Sequence, residues 1–151
     1  MRLFCRNISI FCIFFFLLAM LPACSPTGTP DVRIERQKAW VSPVLVGVVS
    51  VFMDIVNAGD GRDALMGAGM DLPGVVVELH DTNRGRMVKA DMIPVPSRRT
   101  VELQPGGKHI MVFKLPPEVV VGTEVALRLR FRESGEKLVT VPVVAAEPAG
   151  K

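Results

Sequence analysis

Between residues 125 and 132 every odd position is apolar, and three of the four even positions are arginine. Successive side chains of a β-strand point to opposite faces of the sheet, so this segment has one apolar face and one solvated face. From Ala39 onward the chain shows no long helical period, only short runs of this kind. The pattern predicts a chain that folds from β-strands.

Turn residues divide the chain after Ala39 into eight apolar runs. The breaks between the runs are rich in glycine, proline, asparagine and aspartate, as at residues 57–61 and 105–107. Several short strands at roughly regular spacing favour an antiparallel β-sandwich in a single domain. The predicted strands cover residues 44–57, 64–70, 75–81, 87–93, 100–103, 108–115, 124–132 and 137–144.

The first 23 residues have the composition of a bacterial lipoprotein signal peptide. Arg2 and Arg6 precede an apolar run over residues 8–21, which is shorter than the roughly 20 residues that a spanning helix needs. Residues 21–24 resemble a lipobox, which predicts cleavage before Cys24 and lipidation of that cysteine. We therefore expect a lipid-anchored protein on the periplasmic side of a bacterial membrane. A soluble periplasmic protein and an uncleaved anchor are the alternatives.

Three regions are predicted beyond the signal peptide. Residues 24–37 are polar and contain proline and glycine, which indicates a flexible tether. Residues 38–145 are predicted to form the folded domain, and residues 146–151 a disordered tail. Without the leader the net charge is about +1, and basic residues are spread among acidic ones. This distribution indicates no nucleic-acid surface.

The three cysteines lie at positions 5, 12 and 24, so none remains in the predicted domain. Disulfides therefore cannot staple the domain, and no thiolate is available as a nucleophile or metal ligand. The chain has only two histidines, and no Ser/His/acid spacing stands out. These observations argue against an enzyme. We expect a monomeric binding domain.

Two histidines and two methionines have the clearest potential for chemistry. His109 and Met111 are two positions apart in a predicted strand, so their side chains share a face. His80 ends another predicted strand, and a hairpin turn at residues 82–86 would pair it with the strand that begins at Met87. Imidazole and thioether together suit Cu(I). The sequence therefore predicts a shallow Cu(I) site at one rim of the sandwich, with these four side chains as ligands.

The chemistry of the predicted ligands fits an exported copper site. All four are uncharged, and thioethers neither need deprotonation nor form disulfides in an oxidising compartment. A blue-copper site is not indicated, because it needs a cysteine thiolate. Both imidazoles must be neutral to bind, so copper affinity is expected to weaken as the pH falls through about 6.5. Met92 is the reserve ligand if the hairpin has a shifted register.

These residues lie in a sequence that resembles the PCu(A)C family of periplasmic copper chaperones over residues 38–143. The resemblance is carried by AWV at residues 39–41, NAG at 57–59, VELH at 77–80 and PGGKHIM at 105–111. The family's motif is a histidine, a methionine and a downstream His-x-Met, with 21 residues before the second histidine. Met87 and His109 enclose residues 88–108, which matches that interval.

The first half of the motif departs from the family pattern. Only residues 81–86 separate His80 from Met87, four fewer than the family has. An even-numbered deletion at a hairpin tip keeps the side chains on the same face. The resemblance implies a cupredoxin-like sandwich of Greek-key type that binds Cu(I). It also implies delivery towards the dinuclear copper centre of cytochrome c oxidase, with the oxidase copper subunit or a Sco-type thiol protein as partner.

Two other functions remain open from the sequence. The chain could be a metal-free envelope lipoprotein whose β-sandwich binds a protein partner through an exposed edge in the valine-rich residues 44–56. It could also use the same copper site as a periplasmic buffer for copper resistance.

Overall fold

The structure is a computed structural model and describes residues 28–41 and 45–146. The predicted signal peptide, Cys24 and residues 147–151 of the predicted tail lie outside the described residues. The described chain contains ten strands: β1 (Val32–Val41), β2 (Val49–Asn57), β3 (Asp63–Gly69), β4 (Val76–Asn83), β5 (Arg86–Lys89), β6 (Ile93–Val95), β7 (Arg99–Leu103), β8 (His109–Phe113), β9 (Glu124–Phe131) and β10 (Glu136–Ala145).

The strands form one hydrogen-bonded path in the order β5-β4-β8-β2-β1-β10-β9-β3-β6, and β7 also pairs with β2. Neighbouring strands are antiparallel except β1 and β10, which are parallel. The fold is a single-domain, cupredoxin-like β-sandwich, as predicted. Within the described residues no helix has the length and apolar character needed to cross a membrane.

The alternation in residues 125–132 is confirmed by β9. Its four odd-numbered apolar residues are buried, whereas the arginines on its other face are exposed or half-buried. The buried side chains of β9 belong to one apolar cluster that also contains Leu65 of β3, Ile110 of β8 and Val141 of β10. A single core therefore joins strands from both ends of the hydrogen-bonded path.

The tether predicted over residues 24–37 is wrong from residue 28 onward. Val32–Val41 forms β1, which pairs with β2 along one edge and with β10 along the other. The segment before β1 is also attached, because Asn57 Oδ1 accepts a hydrogen bond from the N–H of Asp31 at 3.1 Å. Only Val32 and Ala39 of β1 are buried. Most other positions of this strand can therefore be polar, and the sequence of β1 resembles that of a linker.

The strand predicted over residues 44–57 begins only at Val49, and it is central. One edge of β2 pairs with β1, and the other pairs with β8 and then β7. The prediction of an exposed valine-rich edge, which the alternative function requires, is therefore wrong, because β2 is paired on both sides.

The single strand predicted over residues 87–93 is wrong as well. Arg86–Lys89 forms β5 beside β4, whereas Ile93–Val95 forms β6 beside β3 at the opposite end of the path. All residues of β5 are exposed, but Ile93 and Val95 are buried in the core. The core takes up Ile93 at the end of the predicted run, so the chain leaves the side of β4 after Lys89.

The fold predicts a clear contrast between two leucines on adjacent strands. Leu127 of β9 is 0% exposed, and Leu138 of β10 is 70% exposed. Leu127→Ala should lower the free energy of unfolding by about 2–5 kcal/mol, because it removes buried methyl groups and leaves a cavity. Leu138→Ala should change it by no more than about 0.5 kcal/mol. Urea unfolding of both variants measures the difference, and equal losses would contradict the assigned core.

Candidate metal centre

The hairpin between β4 and β5 determines where His80 and Met87 lie. Asn83 pairs with Arg86, and the two residues between them, Arg84 and Gly85, have φ values of +51° and +76°. Two successive residues with positive φ define the tight type I′ turn that matches the twist of paired strands. The predicted hairpin is therefore present, and it pairs Met87 with Thr82.

Strand pairing places the four predicted ligands on one face of the sheet. His80 pairs with His109, and Met87 pairs with Thr82, two residues beyond His80. Directly paired residues share a face, as do residues two positions apart on one strand. Met111 follows His109 by two residues, so it also belongs to this face. The two imidazole rings lie close together, with centroids 5.6 Å apart.

The glycine-rich segment before His109 is a loop that interrupts one long strand. Leu103 of β7 pairs with Met53, and Ile110 of β8 pairs with Val51, so only Phe52 of β2 faces the chain between them. The N–H of Gln104 donates to the carbonyl of Lys108 at 2.8 Å and closes the loop.

This loop also orients the first residue of β8. Gly106 has a φ of +77°, a conformation that glycine adopts without steric cost. The carbonyl of Gly107 accepts a hydrogen bond from His109 Nδ1–H at 2.8 Å. The predicted turn role of the two glycines is therefore observed, and the loop backbone holds the imidazole.

The site is deeper than the shallow rim that we expected. His109 is 3% exposed and Met111 is also buried, because β8 has strands on both sides and side chains covering both faces. Met87 on the edge strand is 57% exposed. The two methionines line one cleft of about 250 Å³ together with Trp40 and Phe52. The exposed methionine is thus the part of the site that solvent and other molecules can reach.

Each imidazole has one nitrogen in a hydrogen bond and one without a partner. His109 Nδ1–H donates a hydrogen bond to the carbonyl of Gly107, and His80 Nε2–H donates to Glu78 Oε2 at 3.1 Å. The other two nitrogens, His80 Nδ1 and His109 Nε2, are buried and have no hydrogen-bond partner. A buried polar atom without a partner is costly unless something else satisfies it. Two such nitrogens on the sheet face that also carries two thioethers fit a soft metal ion.

Other potential ligands do not contribute to this cleft. The thioether of Met92, the reserve ligand, accepts a hydrogen bond from Arg132 Nη2 at 3.0 Å, beside Met66. Met92 precedes β6, which lies at the other end of the strand path from β5. Among the described residues, no three His, Cys, Asp or Glu side chains form a metal-binding cluster. A metal site here therefore depends on the methionines.

Sequence reasoning missed three residues that contact the site or line it. Glu78 accepts hydrogen bonds from Lys89 and His80, which lower the pKa of its carboxyl. Its position two residues before His80 was a usable signal, because both side chains share a face. The hydroxyl of Ser50 lies 3.1 Å from Met111 Sδ, and nothing in the sequence indicated that contact. Trp40 also lines the cleft.

Burial lowers the pKa of His109 below its ordinary value of 6.5, and the raising effect of the hydrogen bond to Gly107 does not offset it. His109 is therefore neutral at pH 7 and has a lone pair on Nε2.

A family model described as LpqE-like matches residues 34–143, which is most of the chain. The chain belongs to the LpqE-like family. A relative from Leifsonia xyli subsp. xyli (strain CTCB07), described as a lipoprotein, is 31% identical over 129 residues. The alignment covers 82% of this chain and 77% of the relative.

Solved structures of PCuAC domains share the fold of this LpqE-like protein. The copper-bound PCuAC domain from PmoF2 matches with a TM-score of 0.65 at 24% identity, covering 76% of this chain and 93% of that domain. The solution structure of CuI-DR1885 from Deinococcus radiodurans matches with a TM-score of 0.63 at 22% identity, covering 78% and 80%. The resemblance to PCu(A)C proteins is thus confirmed for the fold, and the family itself is the LpqE-like one.

The lowered pKa of His109 makes the stability of the metal-free LpqE-like protein depend on pH. The unfolded chain binds this proton near pH 6.5, and the folded protein binds it only at lower pH. The contribution of neutral His109 to the free energy of unfolding is therefore fully present above about pH 6.5. It decreases as the pH falls towards the pKa of His109 in the folded protein. Urea unfolding at pH 7.5 and 5.5 should show a smaller pH-dependent loss for His109→Gln than for the wild type. A His109 ring that titrates at or above 6.5 by NMR would contradict the prediction.

Proposed function

We propose that this LpqE-like protein is an extracytoplasmic chaperone that binds one Cu(I) ion through His80, Met87, His109 and Met111 and passes it to another protein. The observation that carries this proposal is the pair of buried imidazole nitrogens without partners, on the sheet face that also has both thioethers. The copper-bound states named for two proteins of the same fold support the choice of metal.

The donor set favours monovalent copper over Zn(II) or Cu(II). Two neutral imidazoles and two thioethers leave the ion its full positive charge, which a monovalent ion in a largely buried site tolerates best. The low pKa of His109 keeps one imidazole neutral below the pH at which a free imidazole becomes charged. Proton competition at that ligand therefore begins at lower pH than we expected from the sequence.

Unequal exposure of the ligands suits a carrier. The exposed thioether of Met87 lies on an edge strand, where an incoming ion or an acceptor's ligand reaches it first. His109 and Met111 lie below the surface and retain the ion until the acceptor replaces Met87. Exchange would thus proceed through intermediates in which donor and acceptor share the metal.

The proposal also includes where the protein lies in the cell and which protein receives the copper. The lipoprotein description of the Leifsonia relative supports a lipid anchor at Cys24 on the periplasmic side of the membrane. The proposed recipient is the copper centre of cytochrome c oxidase, reached directly through its copper subunit or through a Sco-type protein. The binding site uses no catalytic step, and we propose that the protein is a monomer and not an enzyme.

A metal-free module that binds a partner through a strand edge is less well supported. The valine-rich strand that suggested it is paired on both sides. A copper buffer would use the same ligands and differs only in lacking an acceptor.

A competition titration of Cu(I) against a colorimetric chelator tests the ligand set. The wild-type protein should bind one equivalent, and a His80→Ala, His109→Ala double variant should lose more than the roughly 10–100-fold in affinity that outer-shell changes cost. Met87→Leu should weaken binding, whereas Met92→Leu should not, although both thioethers are exposed. Equal one-to-one binding by the double variant would overturn the ligand assignment.

Transfer kinetics separate a chaperone from a buffer. Copper-loaded protein mixed with a metal-free Sco-type protein or oxidase copper-subunit domain should lose Cu(I) at a rate that rises with acceptor concentration, because exchange uses a shared-metal intermediate. A stopped-flow or NMR measurement of the rate checks this. A rate independent of acceptor concentration would indicate simple dissociation and support the buffer.

A further inference from the structure

Glu78 contacts one of the two proposed imidazole ligands. It lies two residues before His80 on β4, and it therefore belongs to the face that carries the metal centre. Glu78 Oε2 lies 3.1 Å from His80 Nε2, and Lys89 Nζ lies 2.7 Å from Glu78 Oε1. Lys89 is the strand partner of His80, so these three side chains are neighbours on one surface.

The contact with Glu78 decides which nitrogen of His80 carries the proton. An ionised carboxylate can only accept hydrogen bonds, so His80 Nε2 must be the donor. In the neutral ring the other nitrogen, Nδ1, then has a free lone pair. That nitrogen is also the one that is buried without a hydrogen-bond partner.

We propose that Glu78 is a positioning residue that holds His80 as its Nε2–H tautomer, so that Cu(I) binds this histidine through Nδ1. This inference rests on the proposed copper function. His109 is held in the opposite way, because its Nδ1–H donates to Gly107 and its Nε2 is left without a partner. The two imidazoles therefore bind the ion through unlike nitrogens, one held by a side chain and one by the backbone.

Glu78 itself is not a ligand in this arrangement. One of its carboxylate oxygens accepts from His80, and the other is engaged by Lys89. A carboxylate that accepts a hydrogen bond from a metal-binding imidazole orients the ring and makes it a stronger donor. Lys89 in turn fixes the carboxylate, so the edge strand β5 helps to orient a ligand on β4.

The first test is made on the metal-free wild-type protein. Long-range ¹⁵N–¹H correlation spectra of the histidine rings near pH 7.5 should assign the proton to Nε2 in His80 and to Nδ1 in His109. This measurement needs neither copper nor a substitution. A His80 ring found mainly as the Nδ1–H tautomer would overturn the inference.

Two substitutions separate the hydrogen bond from the charge. Glu78→Gln keeps an oxygen that accepts from Nε2–H, so the His80 tautomer should persist. Glu78→Leu has no acceptor, so the tautomers should mix, and Cu(I) affinity should fall by about 10–100-fold, more than in Glu78→Gln. Glu78 is partly exposed, so both variants are expected to fold, and HSQC spectra check this. If Glu78→Leu does not fold, the inference is tested by the His80 tautomer in the wild-type protein and in Glu78→Gln.

Asp81→Asn is the matched control. Its carboxylate also lies beside a lysine, with Lys108 Nζ at 3.4 Å, but it follows His80 directly and so belongs to the other face. This variant should leave the His80 tautomer unchanged. Burial lowers the pKa of His109 and the Asp81 charge opposes that effect, so this control is read on the His80 tautomer and not on the copper affinity. An unchanged tautomer and affinity in Glu78→Leu would refute the positioning role.

The outcomes distinguish this inference from the function on which it rests. A wild-type protein that does not bind Cu(I) overturns the proposed function and, with it, coordination through Nδ1. Normal Cu(I) binding together with an Nδ1–H tautomer at His80 overturns the role of Glu78 alone.

Discussion

The register between β4 and β8 is the constraint on which the metal centre depends. Leu79 pairs with Ile110 on the core face, and His80 pairs with His109 on the opposite face. A shift of one strand by a single residue would turn its side chains over, because the period of a strand is two. Burial of a large aliphatic side chain contributes about 1.5–3 kcal/mol, so the core strongly selects the observed pairing. The apolar core therefore fixes the strand pairing that brings the two imidazoles together.

The central position of β8 gives the site its chemical character. With strands on both sides and covered faces, the strand buries His109 and Met111 as well as its core residues Ile110 and Val112. Burial lowers the pKa of His109 and leaves one nitrogen on each imidazole without a partner. Unsatisfied buried nitrogens reduce stability, and a bound ion would remove that cost. The edge strand β5 supplies the opposite property, because it keeps Met87 accessible.

Most of the strands could be predicted, because short amphipathic runs between turn residues have few alternatives. The Asn-Arg-Gly segment at residues 83–85 even indicated the hairpin that aligns His80 with Met87. The failures have physical causes. β1 buries only two of its ten residues and has the composition of a polar linker, although pairing on both edges stabilises it. The run over residues 87–93 is divided because Ile93 is drawn into the core at the other end of the strand path.

The sequence by itself determined the all-β class, the four candidate ligands and the face that each pair of them shares. These properties depend on the two-residue period of a strand and on short-range turn geometry, both of which are local. Only the tertiary structure decided the depth of the site, the central position of β2 and the contacts of Glu78, Ser50 and Trp40. Burial and proton placement depend on which strands become neighbours, and that choice is made by packing residues distant in the chain into one core.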